Sequence, residues 1–115
     1  MTVHKLIKKW QKILRLQDYA IDVEMTKLIG DEIKLGEIEV DWQNRRAVMF
    51  LLDDKQLDEL KRQGYDGDTL NIEHTVVHEL LHIYFMTDDD VESNLLIEQG
   101  INHVASLLIE QYKEG

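Results

Sequence analysis

The sequence predicts an α+β fold, and three features of its hydrophobic pattern support that prediction. Apolar residues recur every three or four positions near the start of the chain, which is the spacing of an amphipathic helix. Residues 19–52 instead hold short stretches in which apolar and polar residues alternate, the period of a half-exposed strand. Helical spacing then returns for the second half of the chain. Because strands and helices are grouped rather than alternating, an α+β arrangement is favoured.

The first half of the chain is predicted to form one helix and three strands. The helix covers residues 3–17, where lysines and arginines separate the apolar positions. The strands are predicted at residues 19–28, 35–42 and 47–52, with a turn at 43–45 before the last of them. The third strand is almost entirely apolar and would be the most buried. We expect the three strands to form a mainly antiparallel meander.

The second half of the chain is predicted to form three helices. Asp53-Asp54 can cap a short helix that runs through residue 62. Asp68 or Thr69 is expected to cap a longer helix, and the C-terminal helix is predicted from about Val91 to Lys113.

The composition is that of a single folded domain covering residues 1–115. Hydrophobic residues make up 43% of the chain and charged residues 31%, and no linker or repeat divides it. No stretch approaches about 18 consecutive apolar residues, and the start lacks an apolar run of signal-peptide length, so we expect a cytoplasmic protein. The formal net charge of −10 argues against nucleic acid and anionic membranes as partners, since both bind basic surfaces.

The string His78-Glu79-Leu80-Leu81-His82 lies within the longer predicted helix and is the strongest functional signal in the chain. Residues four apart share one face of a helix, so both imidazoles can reach a single metal ion. Glu79 lies about 100° further round the helix, beside such an ion rather than on it. The chain has no cysteine, so any metal must be held by histidine, aspartate or glutamate. The motif predicts a Zn²⁺ site in which Glu79 takes a proton from a metal-activated water.

A catalytic zinc ion usually has three protein ligands, and Glu98 is the predicted third. It follows His82 by sixteen residues, enough chain for the next helix to turn back and pack alongside. The internal glycine at Gly100 costs about 1 kcal/mol in a helix, and a close approach of the two helices would be a reason to tolerate it. Asn102 shares a helix face with Glu98 and is predicted to hydrogen-bond a ligand histidine from outside.

Two other carboxylates, Asp88 and Glu92, also follow the motif and stay open as ligands. Asp88 lies six residues after His82, where another class of zinc peptidase has its third ligand. That class needs a glycine three residues after the second histidine so that the chain can turn sharply. Phe85 occupies this position and the helical pattern continues through it, which favours Glu98.

Three further side chains are candidates for contacting the substrate or for stabilising an oxyanion. His74 continues the series of His78 and His82, but three rings spread over two helical turns cannot share one tetrahedral ion without strain. His74 is therefore expected at the rim of the site, as a substrate contact. His103, next to Asn102 on the last helix, and the more weakly indicated Tyr84 complete the set.

The motif at residues 78–82, followed by E-Q-G-I-N at residues 98–102, resembles the gluzincin type of zinc metallopeptidase, in which a second helix carries Glu-x-x-x-Asp. The short chain and its order of elements resemble the single-domain minigluzincins. They are also similar to the small metallopeptidase-like proteins of bacteria and phages, including the ImmA/IrrE type. The sequence departs from the family pattern at Asn102, which stands where the family usually has aspartate.

The resemblance implies a zinc metallopeptidase with Glu79 as general base, acting on an extended peptide or protein substrate. We also expect the chain to be a monomer. The resemblance also implies that an edge strand ahead of the motif helix pairs with the substrate, either the strand within residues 46–52 or the strand within residues 36–42. The implied zinc ligands are His78, His82 and Glu98.

Two other functions stay open at this point. A zinc-binding regulatory or interaction module without catalytic activity would close its site with four protein ligands, so that Asp88 or His103 would join the other three. A metal-dependent hydrolase acting on a non-peptide substrate would use the same motif, and the acidic net charge counts against nucleic acid as that substrate.

Overall fold

The computed structural model of the chain describes residues 2–26, 35–65, 71–85 and 95–113. This part of the chain contains four helices and three strands, in the order α1 (Val3–Ile13), β1 (Ala20–Thr26), β2 (Gly36–Asp41), β3 (Arg46–Leu52), α2 (Asp54–Arg62), α3 (Ile72–Tyr84) and α4 (Leu95–Gln111). The α+β class and the predicted order of elements are therefore confirmed.

The sheet is mixed, and the predicted antiparallel meander is wrong. The strand order is β1-β3-β2, with β1 parallel and β2 antiparallel to β3. The alternation of apolar and polar residues specifies which face of a strand is buried, but not which strands become neighbours. The central place goes to β3, whose residues are the most apolar and most buried of the three strands.

The strand order also decides which predicted substrate-binding strand is available. The strand within residues 46–52 is β3, which has a partner on each side, so it cannot accept a further strand. The strand within residues 36–42 is β2, which forms one edge of the sheet in the part of the chain that the structure describes. It also packs against α3.

Helix α1 is shorter than its apolar pattern predicts. Thr2 caps its first turn, and the helix ends at Ile13 rather than at residue 17. Arg15 takes a left-handed backbone conformation with φ of 58°, which a continuing helix does not allow. The apolar pattern extends further because Leu14 and Leu16, beyond the helix end, are still buried in the core.

The N-terminal cap of α2 matches the prediction, and the cap of α3 does not. Asp53 caps α2 as expected, through a hydrogen bond from a backbone N–H of the first turn. The expected cap of α3 at Asp68 or Thr69 is wrong, because α3 begins at Ile72 and Asn71 accepts hydrogen bonds from two backbone N–H groups of its first turn. Residues 91–94, the predicted start of the last helix, lie outside the described residues.

The core lies between the sheet and α1, α3 and α4, with α3 in the middle. Helix α3 packs against α1, α4 and β2. Its apolar positions are fully buried together with residues of β3 and with Trp10 of α1; the largest of these side chains are Trp10, Met49, Leu51, Leu80, Leu81, Val76 and Val77. No helix within the described ranges has both the length and the apolar character that crossing a membrane requires.

Two glycines have opposite surroundings, and the reason predicted for Gly100 is wrong. A Cβ atom built at Gly100 would meet nothing within 4 Å among the described residues, so no close helix approach depends on this glycine. A Cβ atom at Gly36 would lie 2.6 Å from Thr75 Cγ2 and 3.4 Å from Glu79 Cγ. Gly36 therefore lets the start of β2 approach α3 beside Glu79, a contact that the sequence analysis missed.

Candidate metal centre

One side of α3 presents histidines to α4. Residues 74, 78 and 82 are four apart and so share this side. His82 has no exposed surface, and the His78 side chain is only 13% exposed. The facing side of α4 carries Glu98, which reaches both His78 and His82.

Three ligand atoms converge at one point between the helices. His78 Nε2 lies 3.2 Å from His82 Nε2 and 3.0 Å from Glu98 Oε2, and His82 Nε2 lies 3.1 Å from Glu98 Oε1. Zinc bonds of about 2.0–2.1 Å at tetrahedral angles separate adjacent ligand atoms by about 3.3 Å. The three separations are close to that value, so the arrangement fits a tetrahedral ion with one position left for a non-protein ligand.

Glu79 lies beside this point and is buried, with 3% of its surface exposed. Its Oε1 is 4.0 Å from His78 Nε2, a longer separation than those made by Glu98. His78, Glu79 and His82 each offer one ligand atom within 4.8 Å of the others, and this group could hold a metal ion. The shorter distances from Glu98 favour it as the third ligand of such an ion and leave the Glu79 carboxylate further from the two histidine nitrogens.

Asn102 contacts His78 from the side opposite the ligand atoms. Its Oδ1 lies 2.7 Å from His78 Nδ1. An amide oxygen only accepts hydrogen bonds, so Nδ1 carries the hydrogen and donates it. A neutral His78 then has its lone pair on Nε2, the atom that faces Glu98 and His82, and this is the tautomer that a metal ligand needs.

A cleft of about 310 Å³ opens beside the metal centre. It lies between the start of β2, the side of α3 that carries Glu79, and α4. The residues that line it are Leu35, Gly36, His74, Thr75, His78, Glu79 and Asn102. The cleft thus gives an outside molecule access to the proposed base and to one ligand histidine.

The structure brings some of the other candidate residues to the cleft and leaves others away from it. His74 lines the cleft, as expected for a rim residue. His103 is exposed on α4 and Tyr84 is 55% exposed at the end of α3; neither is among the described residues that line the cleft. The rival ligands Asp88 and Glu92 lie outside the described residues.

A residue that the sequence analysis missed, Ser106, joins His74 to α4. Ser106 Oγ lies 3.2 Å from His74 Nε2 and donates a hydrogen bond to the Asn102 backbone oxygen. The signal was available in the spacing, because residues 98, 102 and 106 recur every four positions on α4, as 82, 78 and 74 do on α3. Serine is common on helices, so its spacing on α4 alone does not predict a contact with His74.

The contact between α3 and α1 includes a charged residue, Glu73. Glu73 Oε2 accepts hydrogen bonds from Trp10 Nε1 at 2.8 Å and from Lys9 Nζ at 3.0 Å. Partial burial raises the pKa of Glu73, but the two hydrogen bonds and the Lys9 charge outweigh it and hold the pKa below its usual value. Glu73 thus stays ionised and ties α1 to α3 one turn before the metal centre.

Comparisons of the chain with protein-family models, with curated proteins and with solved structures find no significant match. The resemblance to the gluzincin type therefore rests on the motif residues, and the case for a metal centre rests on the distances given above.

Proposed function

We propose that this protein is a zinc-dependent metallopeptidase of the gluzincin type. The observation that supports the proposal is the convergence of two histidine nitrogens and the Glu98 carboxylate at separations of 3.0–3.2 Å, with the Glu79 carboxylate beside them. A zinc ion held by three protein ligands, all through nitrogen or oxygen, has one coordination position open. This arrangement is typical of catalytic rather than structural zinc.

Each residue has a separate part in the proposed reaction. His78, His82 and Glu98 would hold Zn²⁺, which supplies Lewis acidity that makes a water more acidic and a peptide carbonyl more electrophilic. Glu79 accepts the proton that the attacking water loses and passes it to the leaving amine nitrogen. Asn102 keeps His78 in the tautomer that leaves Nε2 unprotonated.

The cleft supports a peptide as the substrate. It lies beside β2, an edge strand of the described sheet, and Gly36 brings that strand close to Glu79. An extended peptide lying along this edge would place one of its carbonyl groups near the metal centre, a mode of recognition known as β-augmentation. The cytoplasmic location and the monomeric state expected from the sequence stay predictions.

The opening of the cleft also favours a catalytic site over a closed zinc module. A structural zinc site would need a fourth protein ligand. His103 does not line the cleft, and Asp88 is outside the described residues. His78, one of the three proposed ligands, instead lines a space that can admit water or substrate.

Replacing Glu79 with glutamine tests the proposal. Glu79→Gln keeps the size and burial of the side chain but removes the base, so we expect hydrolysis of a peptide library to fall by about 10²–10⁴-fold. The zinc content, measured by elemental analysis of the purified protein, should not change. The matched control is Glu24→Gln, which alters an exposed carboxylate on β1 and should leave both measurements unchanged.

Each outcome of this experiment decides one part of the proposal. Hydrolysis at the wild-type rate by Glu79→Gln would remove Glu79 as the general base. A wild-type protein that holds one zinc ion but cleaves no member of the library would support the non-catalytic zinc module instead. A wild-type protein that takes up no zinc would reject the metal centre itself.

A further inference from the structure

Three rungs of polar side-chain contacts connect α3 and α4, and they form a regular ladder. The first rung joins Glu98 to His82 and His78, at 3.1 and 3.0 Å. The second joins Asn102 to His78, at 2.7 Å. The third joins Ser106 to His74, at 3.2 Å. The helices are antiparallel here, because a step of four residues forward on α4 matches a step of four residues backward on α3.

The third rung contains no metal ligand, and the direction of its hydrogen bonds follows from the single hydroxyl hydrogen of Ser106. Ser106 Oγ donates to the backbone oxygen of Asn102, so its lone pairs are left to accept from His74 Nε2. His74 Nε2 also lies 3.4 Å from that backbone oxygen. One imidazole N–H thus meets two acceptors on the turn of α4 that also carries the partner of His78.

The position of Glu98 depends on the register of the two helices. Its carboxylate comes from a different helix than the two histidines, and a slip of α4 by one turn would displace it by about 5.4 Å. A rotation of α4 by one residue would turn it by about 100°. Either change exceeds the tolerance of a metal ligand, whose bond length is set within about 0.2 Å.

We infer that His74 and Ser106 are positioning residues that hold α4 in the register at which Glu98 reaches the metal. This inference rests on the metal centre of the proposed function but does not require that the protein cleaves peptides. The rung is directional, since an imidazole N–H and a hydroxyl at a fixed separation resist the sliding that apolar contacts tolerate. Its effect on the metal passes through α4, which carries the ligand Glu98 and the His78 partner Asn102.

The first test is the zinc affinity of Ser106→Ala, measured by competition with a chromophoric chelator. Loss of residues that support metal ligands typically weakens binding by about 10–100-fold, and we expect a change near the lower end. Alanine favours the helix more than serine does, so the metal-free protein should unfold at the same or a higher urea concentration. A loss of affinity without a loss of stability separates positioning from a general weakening of the fold. Ser106→Thr keeps the hydroxyl and should restore the affinity.

The second test is a double-mutant cycle with Glu98→Ala. If Ser106 acts mainly through Glu98, then Ser106→Ala should weaken zinc binding in the wild-type background and have a much smaller effect once Glu98 is alanine. Equal effects in the two backgrounds would overturn the inference, as would an unchanged affinity of Ser106→Ala alone.

Two histidine substitutions provide a further test and its control. His74→Ala should weaken zinc binding by about the same factor as Ser106→Ala. The double variant that combines these two changes should bind zinc no more weakly than His74→Ala alone. His103→Ala removes an exposed histidine of α4 outside the ladder and should leave zinc affinity unchanged. If His103→Ala lowered the affinity as much as His74→Ala, the ladder would not be the cause. A wild-type protein without zinc affinity would reject the metal centre, a result distinct from a zinc-binding protein that is insensitive to His74 and Ser106.

Discussion

Helix α3 packs against two neighbouring helices in different ways. Towards α1 it buries apolar side chains around Trp10, with one polar link from Lys9 and Trp10 to Glu73 at the margin. Towards α4 it also buries apolar residues, including Ile101 and Ala105, but it adds the ladder of polar pairs described above.

The difference is consistent with a stabilising contact towards α1 and with the proposed metal centre towards α4. Burying polar and ionisable groups costs free energy unless they are well paired, so a helix seam that serves stability alone is better made of apolar residues. His82, which faces α4, is fully buried, and the neighbouring Glu79, which faces the start of β2, is 3% exposed. Such groups are expected where the protein uses them, and perturbation of the two sides should therefore have separate consequences.

The largest expected effect comes from the apolar side. Trp10 has no exposed surface, and Trp10→Ala should lower the free energy of unfolding by about 3–5 kcal/mol, measured by urea titration of the metal-free protein. Leu96→Ala is the control, since Leu96 is 81% exposed and its truncation should change stability by less than about 0.5 kcal/mol. Below the unfolding transition, Trp10→Ala should bind zinc as tightly as the wild type. A parallel loss of zinc affinity would mean that the two sides of α3 are coupled.

A smaller effect is expected where β2 meets α3. Gly36→Ala places a Cβ atom 2.6 Å from Thr75 Cγ2, and such overpacking should destabilise the protein by about 1–3 kcal/mol. Thr75→Ser removes that methyl group but keeps the hydroxyl that bonds the Asn71 backbone oxygen. In the double variant the cost of Gly36→Ala should largely disappear, a non-additivity that a urea titration can measure.

Gly100→Ala is the matched glycine control. Its new Cβ atom meets open space, and alanine favours a helix over glycine, so stability should rise by up to about 1 kcal/mol. Destabilisation by Gly100→Ala would indicate that another part of the chain packs closely against Gly100, contrary to the structure. Full additivity of Gly36→Ala and Thr75→Ser would show that the contact with Thr75 is not what excludes a side chain from position 36.

The smallest effect, and one that depends on pH, is expected at Glu73. Its pKa is lower in the folded protein than the ordinary value of 4.5, so the carboxylate stabilises the fold above that pH. The contribution is lost as pH falls through the lowered pKa. Glu73→Gln keeps an acceptor for Trp10 but loses the charge, and should cost about 1 kcal/mol at pH 7 and progressively less below about pH 4.

The control for Glu73 is the exposed carboxylate Glu110, whose side chain is 76% exposed. Glu110→Gln should change stability by less than about 0.5 kcal/mol at pH 7. Urea titrations of the metal-free variants at pH 7 and pH 3.5 provide the measurement. A cost of Glu73→Gln that stays constant between these two pH values would show that the charge does not stabilise the α1–α3 contact.

The sequence predicts best those features whose geometry is set within a single helix or strand. The spacing of His78 and His82 requires only that the segment be helical, and the structure contains that helix. The antiparallel meander failed because a strand's own residues do not encode its neighbour. The explanation of Gly100 failed for the same reason, since the space around a residue belongs to other parts of the chain.

The sequence by itself therefore determined the ligand pair on α3, the place of Glu79 beside it and the α+β class. These follow from helix geometry and hydrophobic period, which each segment sets for itself. Only the tertiary structure decided that Glu98 comes within 3.0–3.1 Å of both histidines, that Ser106 meets His74, and that Gly36 brings β2 against Glu79. Those contacts depend on the register of α4 and on the strand order. Both are determined by how all the elements of the core pack together.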